Sequence, residues 1–136
     1  MEPAFLIDTN TVIYIRKAQP PSVLRAFAKL HLGEAGISLI TYGELHYGVS
    51  KSSQRETARE HLARIVEMLP VFPLPNRSAE IYGSLRAELE SHGRTIGNND
   101  LWIAAHALAA GLTLVTNNEK EFRRVRGLRM ENWAKG

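Results

Sequence analysis

The sequence predicts a single α/β domain over residues 1–136, with a central parallel β-sheet flanked by α-helices. Short apolar runs alternate with helical segments along the chain, an order typical of a parallel sheet covered on both faces. The 44% hydrophobic and 23% charged content fits one domain with one core. No run approaches the roughly 18 apolar residues of a membrane span, and the N-terminus does not resemble a signal peptide, so a cytoplasmic protein is expected.

Apolar runs and prolines divide the first part of the chain into two strands and two helices. These are expected, in order, as a strand at residues 4–7, helices at 9–17 and 23–31, and a strand at 36–40. The first strand delivers Asp8 to an edge of the sheet, and Ser22 is suited to cap the second helix. Thr41 then starts a Thr-Tyr-Gly-Glu sequence, which gives Glu44 an ordinary structural explanation as part of a capping box.

The second part of the chain shows the same alternation of helices and short strands. These elements are expected as helices at residues 54–69, 78–91 and 101–110, strands at 70–74, 112–115 and 128–130, and a turn at 119–122. Prolines confine the first of these strands. Asp100 opens the third helix, and Gly111 ends it.

Polar side chains from separated segments are expected to meet at one edge of the sheet. Asp8 and the run from Thr116 to Asn118 follow strands, whose carboxyl ends border the active crevice in open α/β sheets. Glu44 and Asp100 lie near helix N-termini, where carboxylates are electrostatically favoured. These segments carry three acidic residues, and the sequence contains no cysteine. This set of groups favours a hard divalent cation, Mg²⁺ or Mn²⁺ rather than Zn²⁺.

Four ordered segments carry a resemblance to a known family. Residues 5–11, 40–48, 96–105 and 114–122 read FLIDTNT, ITYGELHYG, IGNNDLWIAA and LVTNNEKEF. Together they resemble the PIN-domain ribonucleases over nearly the whole chain, and the ending RVRGLRMENW at 124–133 resembles the enteric-type VapC toxins of VapBC toxin–antitoxin pairs. The resemblance implies a PIN-like domain, an endoribonuclease with one or two Mg²⁺ ions, a homodimer, and a cognate VapB-type antitoxin.

By this resemblance, Asp8, Glu44 and Asp100 match three family acids, expected both to ligate metal and to act in catalysis. The family often has a fourth acid where this sequence has Asn118, which leaves a second metal position open. Glu119 or Glu121 would supply the missing carboxylate from one turn further on, although a solvated acid at a helix start is favoured for either. Thr116 is a further candidate to support the site. Asn10 is expected either to orient the Asp8 carboxylate or contact phosphate, or to be an ordinary turn residue.

Several other conspicuous residues have competing explanations. His106 lies in an apolar helix and is interpreted as a satisfied core histidine, while His46 and Trp102 are assigned to no catalytic role. Four arginines are candidates for RNA phosphate contacts, although a solvated charged face is the ordinary explanation: Arg86, Arg123, Arg124 and Arg126. The net charge of +3 is compatible with a polyanionic partner without requiring one.

The predicted function is Mg²⁺-dependent hydrolysis of RNA phosphodiesters by the toxin of a type II toxin–antitoxin pair. The resemblance favours transfer RNA as substrate, with initiator tRNA as the single best choice. One alternative is a haloacid-dehalogenase-like phosphohydrolase, but Asn10 stands where that family has its second aspartate. The other is a non-catalytic PIN-like module that only binds RNA or a partner protein.

Overall fold

The computed structural model describes residues 2–135, which contain five strands and seven helices. In chain order these are β1 Phe5–Ile7, α1 Thr9–Lys17, α2 Pro21–Ala28, β2 Ala35–Ser38, α3 Leu39–Lys51, α4 Arg55–Met68, β3 Val71–Phe72, α5 Arg77–Ser91, α6 Asn98–Ala110, β4 Thr113–Val115, α7 Glu119–Phe122 and β5 Met130–Glu131. Among residues 2–135, no helix is both long and apolar enough to span a bilayer.

The five strands form one sheet in the order β3-β2-β1-β4-β5, and every neighbouring pair is parallel. The predicted parallel sheet is therefore confirmed. In the central register, Leu6 pairs with Gly36 on one side and with Leu114 on the other. The chain builds outward from β1 in one direction and then returns to add β4 and β5 on its other side. The carboxyl ends of β1 and β4 consequently border the point where strand order reverses, the usual position of a site in such sheets.

Each face of the sheet carries its own apolar cluster, because successive strand side chains point to opposite faces. Leu6 and Leu114 pack with α5, α6 and α7 on one face. Ile7 and Val115 pack on the other face with α1, α2, α4 and Trp133. All four strand residues are fully buried, as expected for a parallel sheet covered on both sides.

The boundary between β2 and α3 differs from the sequence prediction. The strand ends at Ser38 and the helix starts at Leu39, so the predicted strand at 36–40 ends two residues too late. Ser38 Oγ accepts a hydrogen bond from the Ile40 amide at 3.1 Å and also bonds His106 Nδ1 at 2.9 Å. Because Ser38 is the cap, the predicted capping box from Thr41 to Glu44 is wrong.

Two other predicted helix starts are also wrong. α2 begins at Pro21 after the cap residue Pro20, with no side-chain cap, so Ser22 does not cap it. The fixed φ of proline suits a first helical position. α6 begins at Asn98 rather than at Asp100, which lies in the first turn after the cap residue Gly97. Its predicted end is confirmed, since Gly111 adopts the left-handed conformation with φ 68°.

Candidate active site

Asp8 is held at the carboxyl end of β1 by two neighbouring elements. Its Oδ1 caps α1 by accepting from the Thr11 amide at 2.9 Å, and its Oδ2 accepts from Thr116 Oγ1 at 2.5 Å. The residue is only 5% exposed. Burial raises the pKa of Asp8, with a contribution from the charge of Glu44, although both hydrogen bonds act to lower it. Asp8 is thus fixed in place and electrostatically close to a second carboxylate.

Thr116 connects Asp8 to the loop that follows β4. While its hydroxyl donates to Asp8, the same oxygen accepts from the Asn118 amide at 2.9 Å. Thr116 is fully buried, so its hydrogen bonds order the exit of β4 directly beside Asp8. The predicted supporting role of Thr116 thus has a physical basis in the positioning of a carboxylate. Asn10, by contrast, is exposed on α1, and its side chain makes no hydrogen bond within residues 2–135.

Glu44 lies on α3 and reaches two other helices. Its Oε1 accepts from Thr9 Oγ1 at 2.6 Å, and its Oε2 accepts from Asn99 Nδ2 at 3.4 Å. These contacts place the carboxylate between the start of α1, next to Asp8, and the start of α6, next to Asp100. Glu44 does not cap α3, so its position between Asp8 and Asp100 is better explained by a role in the acid cluster.

Asp100 and Glu121 are neighbouring carboxyl groups beside Gly97, and each shifts the pKa of the other. Burial, the largest cause, acts together with the neighbouring Glu121 and the charges of Glu44 and Asp8 to raise the pKa of Asp100 to about 7. Burial acts to raise the pKa of Glu121 as well, but hydrogen bonds from Asp100, the Gly97 amide and Asn118 outweigh it and lower the value.

Glu121 is the functional candidate that sequence reasoning undervalued. The solvated helix-start acid expected there is instead bonded to the Gly97 amide at 3.2 Å, at the start of the helix that carries Asp100. Glu119 is the acid that faces away, because it pairs with Lys135 at 2.9 Å and accepts from Asn132 at 3.0 Å. Asn118 brings no carboxylate of its own, and its amide side chain acts to lower the pKa of Glu121. Because residues two positions apart on a helix point to different faces, the sequence already indicated that Glu119 and Glu121 would not both face the acids.

The remaining ambiguous residues have structural explanations. His106 is 1% exposed and bonds Ser38, and burial lowers its pKa to about 4, so the core interpretation is confirmed. Trp102 stacks on Tyr82 with ring centres 3.9 Å apart. His46 packs edge-on against a tyrosine of its own helix. None of these contacts indicates a catalytic group.

The carboxylates collect negative charge without a matching side-chain cation. Within residues 2–135 there are four salt bridges, and none of them involves Asp8, Glu44, Asp100 or Glu121. Across the same residues, no three His, Asp or Glu side chains are close enough to hold one ion, so these acids share a region without forming a completed metal centre. A cluster of mutually destabilised carboxylates is a donor set that fits a hard divalent cation.

Comparison with protein families identifies the class of protein that has this fold and site. The PIN domain family matches residues 5–128. The chain belongs to the PIN-domain family. This membership, together with asparagine at position 10, excludes the haloacid-dehalogenase-like alternative.

Individual relatives narrow the class further. The chain is 40% identical over 130 residues to "Ribonuclease VapC2" of Haemophilus influenzae, covering 96% of this chain and 98% of the relative. It is 41% identical over 130 residues, with the same coverage, to "tRNA(fMet)-specific endonuclease VapC" of Shigella flexneri. The structure of VapBC2 from Rickettsia felis bound to a promoter DNA fragment matches with a TM-score of 0.84 at 41% identity, covering 98% and 99% of the two chains. These similarities group the chain with the VapC ribonucleases.

Proposed function

We propose that this protein is the ribonuclease toxin of a type II toxin–antitoxin pair and hydrolyses RNA phosphodiester bonds in a Mg²⁺-dependent reaction. The observation that carries the proposal is the gathering of Asp8, Glu44 and Asp100 at the carboxyl edge of the sheet, with Glu121 beside Asp100. The names of the VapC relatives support the reaction class.

The four carboxylates are the groups that would hold a divalent cation, with Mg²⁺ favoured and Mn²⁺ an acceptable substitute. When bound, such a cation supplies an activated water and neutralises charge that develops on the phosphate. Asp100 must release its proton before both of its oxygens can act as ligands, since its pKa is about 7. Thr116 and the Thr11 amide keep Asp8 oriented, and Thr9 and Asn99 keep Glu44 oriented.

The proposed substrate is transfer RNA, with initiator tRNA as the first choice. Support comes from the Shigella flexneri relative, whose name specifies tRNA(fMet). The acid cluster itself recognises phosphodiester chemistry and no particular base, so the choice of RNA must depend on surfaces outside it.

A homodimer is proposed through the exposed face of α3. Leu39 and Tyr47 on this helix are 51% and 64% exposed, and they line a groove of about 670 Å³ that also contains Glu44 and Asn99. Large exposed apolar side chains beside a groove are typical of interaction surfaces. A second copy on this face would bring the interface next to the acid cluster.

A VapB-type antitoxin is proposed as the second partner, because solved relatives are VapBC complexes. A separate apolar cavity of about 270 Å³ lies between α2 and α4 and is lined by Phe27, Leu30, Leu32 and Met68. Leu32 is 71% exposed, so this surface is available to an apolar segment of a partner. A cationic or amide-bearing tail of the same partner would find charge-assisted hydrogen bonds in the acid cluster.

The test of the proposed function is RNA cleavage by the purified protein with Mg²⁺ and with a chelator. Asp8→Asn and Asp100→Asn are expected to lower cleavage by at least about 100-fold, since even outer-shell changes at metal sites cost roughly 10- to 100-fold. Both variants should remain folded and lose growth toxicity. The products should carry 5′-phosphate and 3′-hydroxyl ends. RNA binding without cleavage would instead favour the non-catalytic module, and cyclic 2′,3′-phosphate ends would contradict attack by water.

A further inference from the structure

A concave patch of positive charge lies beside the acid cluster, and we name it the arginine cleft. It has a volume of about 410 Å³ and is lined by His92, Arg94, Arg123, Arg124 and Arg126, together with Glu88 and Leu89 of α5. These basic residues come from two separate segments, the turn after α5 and the segment after α7. The fold therefore concentrates cations from distant parts of the sequence in one depression.

Within the described residues, one long salt bridge, to Glu88 in the lining, reaches the arginines of this cleft. Among residues 2–135, no salt bridge involves Arg94, Arg123 or Arg124, and Arg126 reaches Glu88 only at 3.9 Å, with its side chain 90% exposed. Like charges held together without counter-charges repel each other. A solvated face of separated arginines would not need a common depression, so the concave arrangement favours an anionic ligand.

The arginine cleft is connected directly to the proposed catalytic residues. Arg124 donates to the Thr95 carbonyl at 2.7 Å, and its charge contributes to the lowered pKa of Glu121. The loop that Thr95 begins also supplies the Gly97 amide that bonds Glu121. On α7 and its continuation, Glu121 thus contacts Asp100 while Arg123 and Arg124 line the cleft.

A second, smaller cavity of about 160 Å³ adjoins the cleft at Leu89. Its apolar side is formed by Leu89, Ile96 and Leu101, and its polar rim includes Arg86 and Asn98. Thr95 and Ile96 also line it, and the next residue in this loop, Gly97, donates its amide to Glu121, so this cavity also adjoins the acid cluster. The volume is several times the roughly 30 Å³ share of one water molecule in the liquid, which leaves room for one flat ring.

We propose that the arginine cleft and this cavity form a binding site for single-stranded RNA next to the acid cluster. The arginines bind successive phosphates, for which the planar guanidinium is well suited. The cavity receives one unpaired base against its apolar wall, with its polar edge toward Arg86 and Asn98. This inference rests on the proposed function, because it extends the same active site toward its substrate.

The test is RNA binding by the full chain in chelator, where no cleavage is expected, measured by fluorescence anisotropy across a range of salt concentrations. The probe is an RNA hairpin with an unpaired loop. In Arg94→Ala/Arg123→Ala the affinity should fall by about tenfold or more, and the salt dependence should lose about 1.4 units of slope, roughly 0.7 for each phosphate contact in single strands.

Two matched variants separate site-specific contacts from general charge. Arg55→Ala/Arg64→Ala removes two exposed arginines of α4 and the same total charge, and it should bind RNA like the wild type. Arg94→Lys/Arg123→Lys keeps the charges and should retain most of the slope. Equal losses in the α4 variant, or an unchanged slope in Arg94→Ala/Arg123→Ala, would overturn the site.

The probe itself tests the base cavity. A fully paired duplex of matched length should bind more weakly than the hairpin with its unpaired loop, and equal affinity would overturn the cavity as a base site. Cleavage of the hairpin by wild-type protein with Mg²⁺ is measured in parallel. If cleavage fails while the arginine variant still loses binding, the proposed function fails and the RNA site stands.

Discussion

At the scale of single residues, the position of Glu121 changes how many carboxylates the candidate site is expected to contain. The absence of an acid at position 118 indicated a weakened second metal position, but Glu121 accepts from the Gly97 amide and lies beside Asp100. Glu119, two residues earlier, is paired with Lys135. Glu121, three positions after Asn118, therefore places a carboxylate beside Asp100.

From this placement we expect Glu121→Gln to lower RNA cleavage and to raise the half-saturating Mg²⁺ concentration, because a ligand charge beside Asp100 is removed. Glu119→Gln is the matched control and should leave both quantities close to wild type. Asn118→Asp should lower the half-saturating Mg²⁺ concentration. Cleavage rates titrated with Mg²⁺ for all three variants decide the matter, and an effect of Glu119→Gln equal to that of Glu121→Gln would contradict the assignment.

Asp100 gives a second prediction at the residue scale, in the stability of the metal-free protein. Its pKa is about 7 in the folded state and near the ordinary 3.8 when unfolded. Below about pH 3.8 the group is protonated in both states. As pH rises from there to 7, only the unfolded chain releases the proton, so the stability contributed by this group falls and the loss is complete above pH 7.

The melting temperature of Asp100→Asn should therefore increase relative to that of the wild type as the pH of a chelator-containing buffer rises from about 4 to 8. Adding Mg²⁺ at pH 8 should raise the melting temperature of wild type more than that of the variant, because binding to the folded state stabilises it. Parallel pH profiles for the two proteins in thermal melts would show that Asp100 has no raised pKa.

At the scale of elements, the start of α3 decides where Glu44 lies. Ser38 ends β2, caps α3 and bonds the buried His106 of α6, so one hydroxyl joins three elements. Burial keeps His106 neutral near pH 7, with a pKa of about 4. Thr41, by contrast, is fully buried in the first turn, and its hydroxyl has no hydrogen-bond partner within residues 2–135.

Ser38→Ala should thus lower the free energy of unfolding by about 1–3 kcal/mol, from loss of the cap and an unpaired buried ring nitrogen. Thr41→Val is the counterpart and should be neutral or stabilising by up to about 1 kcal/mol, since it removes a buried hydroxyl without a partner. Urea denaturation measures both values. A larger loss in Thr41→Val than in Ser38→Ala would restore the capping box that the sequence suggested.

At the scale of the whole molecule, parallel pairing of all five strands brings the acids together. Asp8 follows β1, Glu44 is on α3, Asp100 is on α6 and Glu121 is on α7, yet the charges of the other three all raise the pKa of Asp100. The two exposed surfaces proposed for protein partners lie on different parts of the molecule. The α3 groove adjoins the acids, whereas the apolar cavity between α2 and α4 is formed by other elements.

Because the surfaces are separate, we expect that dimerisation and antitoxin binding can each be disrupted without affecting the other. Tyr47→Asp should reduce the mass measured by light scattering at micromolar concentration from about twice 15.2 kDa toward 15.2 kDa. Leu32→Asp should weaken antitoxin binding and leave the dimer intact. A wild-type monomer that also fails to bind the product of the neighbouring gene would contradict both partner proposals.

The sequence by itself determined the parallel α/β fold, most of the element order and the candidacy of Asp8, Glu44 and Asp100. These features depend on local signals: apolar runs, the helix end at Gly111 and short motifs read within a few residues. The prediction of strand and helix starts was less accurate at Ser38 and Asn98, because their local sequences permit more than one cap.

Only the tertiary structure decided which of two neighbouring glutamates joins the acids, which hydroxyl caps α3 and where the arginines gather. Each of these depends on a partner far along the chain: Gly97 for Glu121, His106 for Ser38 and the turn after α5 for Arg123. The packing of α5, α6 and α7 on one face of the sheet brings such partners together. Burial and hydrogen bonds between residues far apart in the sequence then stabilise the pairings, and local sequence patterns carry no information about these contacts.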